Sequence, residues 1–111
     1  MLNKKVAIYI PSTTNHNVTA SAEQIGKWTQ SAKILLANLF GGFTATTGQG
    51  GYVSQKHGLI EESVTIVASF TDENGLTKMP EIRALARQIA NDMKQEAVSV
   101  EFAGTLELIS A

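Results

Sequence analysis

With 111 residues the chain has the length of one ordinary domain, enough for a single core over 1–111 and too short for two. Apolar residues make up 43% and charged residues 17%, which excludes a disordered chain, and nine basic against ten acidic side chains leave a net charge of −1 that excludes the footprint of a general nucleic-acid binder. The absence of cysteine excludes a disulfide framework and a thiolate nucleophile and fits a reducing, cytoplasmic compartment, while no apolar run approaches a membrane span.

Residues 4–10 alternate, with Val6, Ile8 and Ile10 on one face and Lys5, Ala7 and Tyr9 on the other, as in a half-buried strand that Pro11 ends. The N-terminus therefore reads as a strand and not as a signal peptide. Residues 12–19 are nearly all hydroxyl and amide side chains, a loop composition. Ser21 followed by Gln24 is a capping-box pattern, and Ile25, Trp28, Ala32, Leu35, Leu36 and Leu39 then share one helical face until Gly41 and Gly42.

Residues 43–54 form a strand weakened by glycine, bulged or closely approached by another backbone or a ligand. A turn at 55–58 leads to the clearest strand, 59–70, whose apolar Ile60, Val64, Ile66, Ala68 and Phe70 are expected to face the core. Glu61, Ser63, Thr65, Val67 and Ser69 are then left outside. Turn chemistry at 72–75 precedes a helix over 78–94, with Thr77 as a cap and Ile82, Leu85, Ile89 and Met93 inward. The last strand, 97–109, places Val98, Val100, Phe102, Leu106 and Leu108 on the core, with a bend at Gly104.

Strand, helix, strand, strand, helix, strand predicts an α+β ferredoxin-like βαββαβ sandwich: a four-stranded antiparallel sheet, order 4-1-3-2, with two helices on one face. This order gathers Ser12, Thr13, Thr14, Asn15 and His16 with Tyr52, Lys56 and His57, and with Gln95 and Glu96, at one edge. The face without helices shows Tyr9, Glu61, Ser63 and Glu101 among small and apolar residues. Such a mixed face favours a homo-oligomer.

Gly48, Gly50 and Gly51 beside a turn either cradle an anion with backbone N–H groups or mark a bulge. They match neither a Walker A loop nor a dinucleotide fingerprint. The hydroxyl-rich loop is a helix cap or, with the glycines nearby, part of a ligand site. Two histidines make no metal site, and no metal or other cofactor is expected. Adjacent Glu61 and Glu62 point to opposite faces and form no catalytic pair. Glu62, on the side assigned to the core, either sits at the sheet's wet end or is held by Lys56 or a backbone N–H.

Phe40-Gly41-Gly42-Phe43-Thr44, Gly48-Gln49-Gly50-Gly51-Tyr52 and Gly58-Leu59-Ile60-Glu61-Glu62 together resemble small uncharacterised bacterial and phage proteins with the same Gly-Gly-x-Thr, Gly-x-Gly-x-aromatic, Gly-x-x-x-Glu order. More loosely, the architecture is similar to PII and CutA-like signalling folds, which implies nucleotide binding by the second hairpin at subunit clefts. Of the basic residues that PII proteins use on phosphates, only Lys56 has a counterpart. The leading expectation is a non-enzymatic homo-oligomer that binds or sequesters a small polar ligand of nucleotide type, as a phage anti-defence sponge would. The alternatives are a small enzyme of the dimeric α/β-barrel kind, with Tyr9, Glu61 or Glu101 as acid or base, and a protein-interaction module.

Overall fold

Alternation at the N-terminus produces β1 (Lys4–Pro11), and the hydroxyl-rich segment after it forms a short antiparallel ribbon of β2 (Thr13–Thr14) and β3 (Val18–Thr19) where a loop is expected. The computed structural model describes residues 1–14 and 18–111, so the expected site residues Asn15 and His16 lie outside the described residues. Helix α1 (Ala22–Phe40) starts at Ser21, whose Oγ accepts the Gln24 backbone N–H at 3.0 Å. The Gln24 side chain does not close the capping box; it donates to Asp92 instead. Gly41 takes the left-handed C-cap, with φ 91°.

A long hairpin of β4 (Thr44–Ser54) and β5 (Gly58–Thr71) follows, then a 3₁₀ turn over Glu73–Lys78, α2 (Met79–Asp92), β6 (Ala97–Phe102) and β7 (Thr105–Ser110). Asp72, not Thr77, is the cap here. Its carboxylate accepts the Asn74 N–H at 2.9 Å and opens the 3₁₀ turn, while the Thr77 hydroxyl donates to the Asn74 carbonyl.

The sheet has five antiparallel strands in the order β4-β5-β1-β6-β7, not four. The additional strand arises because Ala103 (φ 51°) and Gly104 (φ 89°) reverse the chain in a two-residue hairpin turn, where the sequence reads as one bent strand. Reversal also exchanges the faces of β7. Leu106 and Leu108 lie on the side without helices, whereas Thr105 and Glu107 share the face of Val98 and Val100. Glu107 is partnered there by the Arg83 guanidinium of α2 at 2.7 and 3.0 Å.

β5 is likewise turned over relative to expectation. Ile8 pairs with Val67, Val6 with Ser69 and Lys4 with Thr71, so odd-numbered residues of β5 face the helices and Ile60, Val64, Ile66, Ala68 and Phe70 face away. A one-residue choice of register moves every side chain across the sheet, and the pairing with β1 decides it. Val67 is fully buried with Val6, Ile8, Ile10 and Val100, beneath Trp28, Ala32 and Leu36 of α1 and Ile82, Ile89 and Met93 of α2. Side chains such as Ile8, Leu36 and Ile89 each contribute about 2 kcal/mol by burial.

The polar residues that this register draws inward are accommodated. The Ser69 hydroxyl donates to the Gly42 carbonyl, and Thr71 packs on Gly75 so closely that a Cβ there would fall 2.3 Å from Thr71 Cγ2. Trp28, expected in the core, is buried there, and its indole N–H donates to Asp92 at 2.6 Å, which ties α1 to the end of α2.

Candidate functional site

The face without helices carries more large apolar side chains than the sequence implies, beside Lys5, Tyr9, Glu62, Ser99 and Glu101. Phe70, Leu106 and Leu108 are 54%, 57% and 68% exposed on it, and Val64, Ile66 and Ala68 continue it toward the middle of β5. Glu61 and Ser63, expected here, belong to the opposite face, as do Thr65, Val67 and Ser69. Tyr9 and Glu101 are on the open side as expected.

A cavity of about 310 Å³ opens on this side, lined from four strands. Pro11, Val64 and Ile66 supply apolar wall, Tyr9 and Tyr52 aromatic rings, Gln95, Ala97 and Ser99 the β6 end, and Glu62 a carboxylate. Gly48, Gly50 and Gly51 of β4 line it as well. The β4–β5 register is unbroken from Thr44 to Ser54, so the glycines mark no bulge. A Cβ at Gly48 or Gly50 would meet only Ile66, Val64 or the Glu62 carbonyl at 3.6–3.9 Å, an ordinary contact. The fold therefore tolerates a side chain at both positions. What their hydrogen atoms leave is room above Val64 and Ile66.

Two polar clusters border the cavity. The Tyr9 hydroxyl donates to Glu101 Oε1 at 2.8 Å, and Lys5 Nζ lies 3.8 Å from the same oxygen. Burial, with the Glu101 hydrogen bond and its negative charge, pushes the Tyr9 phenol above its ordinary pKa and keeps it a protonated donor. In the second cluster Glu62 Oε2 accepts the Thr13 hydroxyl at 2.7 Å and the Ser12 backbone N–H at 3.4 Å. Gln95 Nε2 in turn donates to the Thr13 carbonyl and, at 3.4 Å, to its hydroxyl oxygen. Glu62 sits half-buried at the end of the sheet, beyond the pairing with β1, and its partners are the Thr13 hydroxyl and a backbone N–H, not Lys56. Its even-numbered position is no anomaly, because that side of β5 is the open one.

The expected site residues separate into groups. Gly48, Gly50, Gly51 and Tyr52 line the main cavity, and Ser12 and Thr13 reach it through Glu62. Those two also line, with Thr19, Glu61 and Ser63, a cavity of about 470 Å³ that Glu62 shares. Lys56 and His57 occupy the hairpin tip, where Ser54 Oγ accepts both backbone N–H groups, and border a separate hollow with Tyr52 and Glu96. Thr14 belongs to the ribbon. Sequence reasoning misses Pro11, Val64, Ile66 and Ala97. The available signal was the excess of apolar residues on one side of β5, which reads as core until the pairing with β1 is known.

No family model and no curated protein matches this sequence. Among solved structures the chain is similar to a phage SAM lyase in complex with S-methyl-5′-thioadenosine, at 19% identity and a TM-score of 0.67, over 97% of this chain and 89% of that one. It is also similar to a phage SAM lyase in the apo state, at 17% identity and a TM-score of 0.64, over 99% and 90% of the two chains. The likeness extends over nearly the whole fold. Both of these neighbours are lyases, which stands against the expectation of a non-enzymatic sequestering protein. Among the described residues no helix is long and apolar enough to cross a membrane.

Proposed function

We propose that this protein is an enzyme that breaks a carbon–sulfur bond of S-adenosylmethionine and releases S-methyl-5′-thioadenosine, with the open-face cavity as its site. The observation that carries the reading is the composition of that cavity: apolar walls, two tyrosines, a glycine floor and the Glu62 carboxylate, in a fold shared with phage lyases. Its volume is at the lower end of what small-molecule sites offer. The tyrosine rings suit the adenine, and the carboxylate suits a cation.

When the bond between the sulfonium and the amino-acid arm breaks, both electrons go to sulfur, which leaves as a neutral thioether. Such a leaving group needs no proton, and an oxygen of the substrate's own carboxylate bonds to the carbon as the carbon–sulfur bond breaks, which closes a lactone with no proton transferred. No acid or base is therefore demanded of Tyr9, whose proton is committed to Glu101, or of Glu61, which is on the other face. Positive charge disappears from sulfur along the reaction, so apolar walls favour the transition state over the charged substrate. Glu62 favours the cation instead. It selects substrate over neutral product and acts on binding more than on the chemical step.

A homo-oligomer belongs to the same proposal, because exposed Phe70, Leu106 and Leu108 make the face around the cavity suited to a second copy. Light scattering is expected to give a multiple of the 11.9 kDa chain mass, and a Leu106→Glu, Leu108→Glu variant the monomer. An anti-defence role then takes the form of consuming a methyl donor. The deciding experiment incubates the purified protein with S-adenosylmethionine and follows S-methyl-5′-thioadenosine by chromatography and mass spectrometry. Recovery of intact substrate, with no thermal shift from either compound, would refute the proposal.

A further inference from the structure

We infer that Thr13 is a positioning residue that aims the Glu62 carboxylate into the cavity, an inference that rests on the functional reading above. Glu62 projects from β5 beyond the end of its pairing with β1, which stops at Pro11 opposite Val64. From there to the hairpin tip, β4 is the one strand paired with β5 among the described residues. A glutamate side chain in such a place has several rotamers open to it. Here one oxygen, Oε2, is taken by Thr13 and Ser12, and Oε1 accepts no hydrogen bond among the described residues.

The direction of the hydrogen bonds follows from the donors. Gln95 Nε2 can only donate, so the Thr13 oxygen that faces it accepts, and the hydroxyl proton goes to Glu62. Gln95 also holds the Thr13 carbonyl, which anchors the ribbon to the start of β6. One carboxylate oxygen is thus held by Ser12 and Thr13 directly and by Gln95 through Thr13. Oε1 is left to take a cation, and Glu62 lines the cavity where the sulfonium is proposed to bind. A carboxylate that swings away from this position leaves the apolar walls and the tyrosines intact.

The consequence is a separation between charged and neutral ligands. Thr13→Val, which keeps the shape and removes the hydroxyl, is expected to raise KM for S-adenosylmethionine roughly three- to tenfold, the net size of one ordinary hydrogen bond, since the loss acts through Glu62. Its kcat, its Kd for S-methyl-5′-thioadenosine and its Tm are expected to stay near wild type, and Thr13→Ser restores KM. In a Glu62→Gln background Thr13→Val adds nothing further, because two residues that act through one interaction are not additive. Gln95→Met, measured in parallel, is expected to give a smaller rise in KM and serves if Thr13→Val does not fold.

Steady-state kinetics, calorimetric titration with S-methyl-5′-thioadenosine and thermal melts on these variants decide the matter. An unchanged KM in Thr13→Val overturns the inference alone, as does an effect that persists in full in the Glu62→Gln background, or equal weakening of charged and neutral ligands. A wild-type protein that does not turn over S-adenosylmethionine overturns the functional reading and this inference with it.

Discussion

Replacing both Gly48 and Gly50 by alanine is expected to make the protein more stable and less able to bind its ligand. Neither position has a positive φ, and the new methyl groups would meet their neighbours at 3.6–3.9 Å, so nothing in the fold opposes them. Glycine within a strand costs about 0.5–1 kcal/mol relative to alanine, chiefly through the freedom of the unfolded chain. Gly50 lies near the less supported end of the hairpin, so a combined gain of about 1 kcal/mol is the reasonable figure, or roughly 3–6 °C in Tm for a domain of this size. Each methyl group has about the volume of a water molecule, ~30 Å³. Two of them remove about a fifth of a cavity of about 310 Å³, at its floor. Crowding of a fitted ligand costs about 1–3 kcal/mol, which corresponds to a loss of roughly 5- to 150-fold in affinity for S-methyl-5′-thioadenosine. Melting curves and calorimetric titration of the same preparation read both quantities. A lower Tm, or an affinity equal to that of wild type, would refute the reasoning.

Three further outcomes are expected. Gly75→Ala, which forces a Cβ against buried Thr71, should destabilise by about 1–3 kcal/mol in urea unfolding, and the smaller Thr71→Ser should recover part of the loss. Ala103→Asn should stabilise by about 0.5–1 kcal/mol, because asparagine tolerates the left-handed conformation at the first position of the β6–β7 turn better than alanine does. Acid sensitivity should reside partly in two carboxylates: the Trp28 indole N–H, with Gln24, holds Asp92 below the usual range, and Arg83 does so for Glu107. A depressed folded-state pKa means that the contribution is complete above the unfolded value near 4 and disappears as pH falls through the folded value. The wild type should therefore lose more stability between pH 5 and pH 2.5 than Asp92→Asn, as read by urea midpoints. Parallel losses would remove Asp92 from the account.

Local signals carried much of this architecture. The alternation of β1, the Ser21 cap, the stripe from Ile25 to Leu39 and the inward Ile82, Ile89 and Met93 are all readable from neighbours along the chain. Facing was legible only where one side of a strand is plainly polar. β5 is apolar on its even side and small and polar on its odd side, yet from Val67 to Thr71 the odd side is the buried one, because Ile8 and Ile10 of β1 are opposite Val67 and Thr65. That is a nonlocal choice, and the residues it exposes are those of the candidate site. β7 was misread for a local reason, since a turn that begins with alanine lacks the Asn-Gly or Asp-Gly signature of a tight hairpin. Glycines 48, 50 and 51 sit in a regular strand with no bulge: 48 and 50 leave space, whereas a Cβ at Gly51 would lie 3.2 Å from the Ile60 carbonyl, the close backbone approach expected from the sequence as the alternative to a bulge.

The outer half of the β4–β5 hairpin has a thermodynamic consequence of its own. Pro11 has no N–H to continue the ladder, and residues 58–63 are, among the described residues, paired with β4 alone. Two strands by themselves are barely stable in water, so amide protons of this segment should exchange with solvent far sooner than those of β1 or α2. Tyr52 and Glu62 are carried by that segment. Occupancy of the cavity would then quench the opening of the hairpin, and part of the intrinsic affinity would appear as slowed exchange rather than as tighter binding.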